Sequence, residues 1–248
     1  MATWITHTMI VDNLLARNLD LDKKGFCIGN IAPDCNVENE DWTEFIPPRE
    51  VTHWMNGKSK LTADYEGFYS QYIIDKSFAS KEHYSFLLGY YSHLITDVQF
   101  QKFIRYKQRV KDSFKRINAN NDMSKKIEGY PQDFDTLKKV FGSRNIFKDI
   151  EILENYYIRL NPESTYNSTL RKTKDFKDYL DFLPKGAIPR KIKIMAYEPR
   201  YIENIEDIEF YFFSRVEFDT FVKETSDIIY DILQANFYMP LLPLTKSP

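Results

Sequence analysis

Apolar positions recur at helical spacing through most of the chain. Between residues 4 and 19, Ile10 or Val11, Leu14 and Leu15 share a stripe with His7. This predicts an amphipathic helix whose imidazole faces inward near its start. From Gly25 to Arg49 the periodicity lapses, and Gly29, Pro33, Pro47 and Pro48, with Asn36, Asn39 and Asp41 between them, predict loop. A helical pattern resumes over 62–78 through Tyr65, Phe68, Tyr69, Tyr72 and Ile73. Ser80 then caps a long predicted helix to about residue 116, with His83, Phe86, Leu87, Tyr90, His93, Leu94 and Asp97 along its inner stripe. Beyond Asn118, shorter helices are predicted at 133–141, 146–160, 172–182 and 214–235, broken by Gly129, Pro131, Pro162, Pro184 and Pro199. Only Lys191 to Met195 alternates like a strand. The expected fold is therefore all-α with a short β segment near 190–196. No repeat or composition shift marks a boundary, which predicts a single domain over 1–248, with a ligand-bearing part at 1–117 and a helical part at 118–248.

Composition narrows the function more than the fold. With 43% apolar and 16% aromatic residues, 248 residues can bury a sizeable core. Lys and Arg number 34 against 36 Asp and Glu, so no basic surface for tracking nucleic-acid phosphates is expected and no specific nucleic-acid partner is predicted. No apolar run approaches the ~20 residues of a membrane helix, and the first residues carry no charged segment typical of a secretory leader, so a cytoplasmic location is expected. Two isolated cysteines, Cys27 and Cys35, are read as reduced, Cys27 within the core. The aromatic stripes could line a cleft for a choline head group, but at helical spacing they are assigned mainly to the core.

The densest chemistry lies in Gly89-Tyr90-Tyr91-Ser92-His93-Leu94-Ile95-Thr96-Asp97. A His and an Asp four residues apart on a helix project from one face, so a ring nitrogen and a carboxylate oxygen can reach one cation. Asp34 follows Pro33 in Gly29-Asn30-Ile31-Ala32-Pro33-Asp34, and His53 sits in Val51-Thr52-His53-Trp54. Asp34, His53, His93 and Asp97 make an N2O2 donor set that suits zinc and also iron, manganese or nickel. Taken singly, an inward His is more often a hydrogen-bonded core residue, and a Pro-Asp step is usually a turn. His83 shares the stripe of His93 but stands about 15 Å from it along the helix, so it is assigned to structure.

Taken in order, Thr6-His7 opening a helix, the loop Gly29 to Asp34, Thr52-His53-Trp54 and the helical run Gly89 to Asp97 resemble the zinc-dependent phospholipase C family, whose helical fold is shared with the single-strand-specific zinc nucleases. The similar words span residues 6 to 97. The resemblance implies that Asp34, His53, His93 and Asp97 hold a central zinc, and that Asp97 bridges to a second ion shared with His7. It implies one or two Zn2+ ions, with another divalent transition metal possible, and a water between the ions that attacks phosphorus. Asp34 is the expected catalytic residue, orienting or deprotonating that water. The implied substrate is a phospholipid head group or another small organophosphate. The family's further site uses histidines after the helical Asp, and here none follows His93. Asp12, Glu38, Glu40 and Asp41 are the carboxylates that could substitute. The alternative is a non-catalytic relative whose ligands hold one structural ion.

Overall fold

The computed structural model describes residues 2–200 and 205–237. Among these, helices dominate: α1 (Trp4–Leu15), α2 (Lys23–Gly29), α3 (Arg49–Thr52), α4 (Tyr65–Tyr72), α5 (Lys81–Arg105), α6 (Lys107–Asn118), α7 (Asn121–Ile127), α8 (Phe134–Phe141), α9 (Ser143–Ile146), α10 (Lys148–Leu160), α11 (Ala187–Met195) and α12 (Arg215–Phe237). A small sheet pairs β1 (Val37–Glu38) with β2 (Phe45–Ile46), antiparallel, with Val37 opposite Ile46. The fold is all-α, and none of the described helices is long and apolar enough to cross a membrane.

The axle is α5. Every residue from Ser85 to Val98 is buried, so this helix is covered on all sides, which is how a core helix differs from a surface one. Against it lie α2, α4 and α12, and α1 is held between α2, α10 and α12. Start signals are local and strong: Thr3 accepts from the Ile5 and Thr6 amides, Asp22 from Gly25, Asp64 from Gly67 and Ser80 from His83.

Several elements differ from the sequence reading. The loop expected from Gly25 contains the end of α2, because the Asp22 cap and the buried run Phe26, Cys27 and Ile28 outweigh Gly29. The long helix divides at Tyr106 (ψ 120°), where the Arg109 guanidinium donates to the carbonyls of Phe103 and Ile104 and so satisfies the end of α5. Residues 173–180 are not helical; Phe176 and Tyr179 instead pack their rings, tilted, against Phe86 of α5. The strand expected at Lys191 to Met195 is the second half of α11, whose buried face Ala187, Ile188, Lys191 and Ile192 has helical, not alternating, spacing. Cys27 and Cys35 are both free and buried.

A candidate metal centre

Small residues set the distance between the helices that carry the site. A Cβ on Gly29 would lie 1.9 Å from the Phe86 carbonyl oxygen, and one on Gly89 2.2 Å from that of Phe26. Backbone therefore meets backbone where α2 crosses α5, and His93 is brought under the end of α2. Its Nδ1 donates to the Asn30 carbonyl at 2.8 Å. His7, from the first turns of α1, donates through Nδ1 to Asn30 Oδ1 at 3.2 Å and stacks on His93, ring centroids 3.9 Å apart and planes 5° from parallel. His53 caps α3, with Nδ1 3.2 Å from the Arg49 carbonyl oxygen and 3.0 Å from Thr52 Oγ1. The Tyr90 hydroxyl donates to the Thr52 carbonyl and ties that turn to α5.

Three oxygen acceptors thus hold the Nδ1 protons, which leaves the Nε2 atoms of His53 and His93 facing one side of Asp97 and that of His7 the other. His53 Nε2 and His93 Nε2 stand 3.4 Å apart. Asp34 Oδ1 is 3.2 Å from His53 Nε2, and Asp97 Oδ2 is 3.2 Å from His93 Nε2 and 3.6 Å from His53 Nε2. Tetrahedral zinc with bonds near 2.05 Å separates its ligands by about 3.3 Å. The two ring nitrogens and two carboxylates face one another near that spacing, with the Lys60 ammonium supplying positive charge beside the carboxylates. On the other side of Asp97, Oδ1 is 4.0 Å from His7 Nε2, and both atoms are buried without a hydrogen-bond partner. The residues fit one ion well, and they leave a second, two-ligand position between His7 and Asp97. Among the described residues, His7 with His93 and Asp97, and Asp34 with His53 and His93, form groups whose donor atoms lie within 4.8 Å of one another.

Electrostatics agree with the donor set. Burial, then the neighbouring His93, pushes the His7 pKa well below its ordinary value, and burial with Lys60 lowers that of His53, which favours the neutral form of both rings that a cation requires. Burial on its own would raise the Asp97 and Asp34 carboxyls. The Lys60 ammonium beside them, with the histidines, overcomes it and holds both below the usual carboxylate range. Lys60 is ion-paired to Asp97 Oδ2 and lies 3.9 Å from Asp34 Oδ1.

Sequence reasoning missed three contributors. Asn30 lies inside the word Gly29 to Asp34 and could have been noticed there, whereas Lys60 sits in an ordinary polar loop and left no signal. Trp4 Nε1 donates to Asp34 Oδ2 at 3.2 Å and fixes the carboxylate from α1. The suggested substitute carboxylates are engaged elsewhere: Asp12 accepts from Tyr157 and the Thr165 amide, Glu38 pairs with Arg190 and Lys191, and Asp41 accepts from Thr43. Neither they nor Glu40 belong to either donor group. His83 stacks on Tyr179 at 4.4 Å and stays apart from the cluster.

A sequence model of one family, described as zinc dependent phospholipase C, matches residues 5–139 of the chain. No curated protein and no solved structure gives a match.

Proposed function

The chain belongs to the zinc-dependent phospholipase C family, and from that premise we propose that it hydrolyses a phosphodiester, of a phospholipid head group or another organophosphate, at the His and Asp cluster. The observation that carries this reading is the pair of Nε2 lone pairs 3.4 Å apart, closed by Asp34 and Asp97. Asp34, His53, His93 and Asp97 are the proposed zinc ligands, and His7 with Asp97 Oδ1 the ligands of a second ion. When bound, zinc supplies a lowered pKa for water and neutralises the charge that develops around phosphorus.

The protein's own groups do the rest. Asp97 is 1% exposed and His7 and His93 are fully buried, whereas Asp34 is 15% exposed. Asp34 is therefore the proposed ligand that meets incoming water, and with Oδ2 held by Trp4 it is placed to orient that water. The Nδ1 bonds of His53 and His93 hold ring orientation and tautomer through the reaction. Lys60 places an ammonium at the carboxylates, where it can attract a phosphoryl oxygen. One hydrophobic cluster runs from Ala2 to Leu233, which supports a single domain.

Elemental analysis of the purified protein, followed by assay on a chromogenic phosphodiester, tests the reading. The expected result is one to two zinc equivalents and turnover that chelation abolishes and His93→Ala removes without unfolding. One tightly held equivalent, no turnover across a broad ester panel and a collapsed melting temperature after chelation would assign the ion a structural role instead.

A further inference from the structure

Beside Asp34 opens a cavity of about 560 Å³. Its floor is apolar, with Ile5, Phe100, Phe147, Ile150 and Tyr166, and at its mouth Trp42, Met195 and Tyr197 are each more than two-fifths exposed. Much of the wall comes from Ser143 to Arg200, beyond the residues 5–139 matched by the family. Four cationic side chains line it as well. Lys191 is paired with Glu38 and Arg200 with Glu151 at 2.8 Å. Arg49 and Arg144 have no carboxylate partner among the described residues; Arg49 lies 4.3 Å over the Phe45 ring, and its carbonyl receives the His53 Nδ1 proton. Glu154, the buried acid in the wall, carries no ion pair and is turned onto Thr3 and Thr6. An apolar floor in a cavity that Arg49 and Arg144 line without carboxylate partners among the described residues is complementary to an anionic amphiphile rather than to a cationic one.

We propose that this cavity seats the single apolar chain of an anionic phosphate ester, with Arg49 and Arg144 holding the anion beside Asp34. A space of about 560 Å³ is within the range of small-molecule sites and accommodates one alkyl chain with its phosphate. The inference rests on the phosphoesterase reading for its substrate but is testable without turnover.

Binding of octylphosphonate and of methylphosphonate to the full-length, zinc-loaded protein is compared by calorimetry, because neither has a cleavable ester and methylphosphonate accounts for any contact with the ion. The eight-carbon ligand is expected to bind at least tenfold more tightly, since each buried methylene adds severalfold to affinity. Octyltrimethylammonium is expected not to bind. Met195→Trp, at the mouth, should erase the chain-length preference, and Arg144→Glu should weaken octylphosphonate at least fivefold, with zinc content and melting temperature unchanged in both. Equal affinity for the two phosphonates, a preference that survives Met195→Trp, or tighter binding of the ammonium ligand would overturn the proposal. A chain preference without any phosphodiester turnover keeps the amphiphile site and removes the reaction; turnover of a water-soluble diester without a chain preference removes the site alone.

Discussion

Lys60 and Asn30 act on the donor set from opposite directions. The Lys60 ammonium lies against Asp97 and within 3.9 Å of Asp34, so it stabilises the carboxylates while it repels any second cation that shares them. Removing it in Lys60→Met is expected to raise zinc affinity by roughly ten- to thirtyfold, the scale of repulsion between an ammonium and a divalent ion about 4 Å away in a water-like dielectric. A chelator-competition titration reads this directly; unchanged affinity would place the ammonium outside the ion's influence. Asn30 does the reverse, since its side chain and its carbonyl accept the Nδ1 protons of His7 and His93. Asn30→Ala removes one of the two acceptors and lets the His7 ring turn. Zinc bound with the help of His7 should weaken about 10- to 100-fold, as losses of outer partners do. In the same titration, an effect under threefold would mean that His7 is held by its stack on His93 alone.

The helix crossing that delivers Asn30 to His93 leaves no room for change. At Gly89 a methyl would meet the backbone of α2 at 2.2 Å, and a backbone, unlike a flexible side chain, cannot step aside. Gly89→Ala is therefore expected to cost about 1–3 kcal/mol or more in stability, measured by urea unfolding, and to weaken zinc binding as well because α5 is pushed away from Asn30. This also shows what was legible in the sequence. The clustering of the five candidate ligands could be read because their residue types and order are rare and because His93 and Asp97 share one helical face. The starts of α1, α2 and α5 carry side-chain caps that are local signals, though the glycines and prolines that follow Asp22 predict loop. Gly29 looked like a breaker because its use, contact with a helix 60 residues away, is not local. The split at Tyr106 depends on Arg109 reaching back to the Phe103 and Ile104 carbonyls, and α11 was misread because Ile192 and Ile194 alternate while Ile188, one turn earlier, carries the helical face. Lys60 could not have been found, since nothing in its own segment points to Asp97.

Across the whole molecule, the part outside the family match holds the metal-bearing part in place. Helix α10 sends Glu154 under the start of α1, where Oε1 accepts from the Thr6 amide at 3.1 Å and from the hydroxyls of Thr3 and Thr6, one residue before His7. A helix N-terminus favours a carboxylate, but at 1% exposure burial dominates and pushes the Glu154 pKa up to about 7 from an ordinary 4.5. A carboxyl whose folded pKa is raised binds its proton more tightly in the folded state, so stability falls as pH rises from the unfolded value towards the folded one. Below about 4.5 both states are protonated and nothing is lost; above about 7 both are ionised and the full penalty, on the order of 3 kcal/mol, is present. Glu154→Gln keeps an acceptor for the Thr6 amide and cannot ionise. Relative to the unsubstituted protein, the variant should therefore gain on the order of 3 kcal/mol between pH 4.5 and pH 7.5, measured by chemical unfolding of both proteins at the two pH values. Because zinc release and every other titrating group affect both proteins alike, the difference isolates position 154. Parallel behaviour at the two pH values would mean that the threonine hydroxyls and the helix terminus keep Glu154 ionised in the fold, and that α10 grips α1 through a charge instead of a neutral acid.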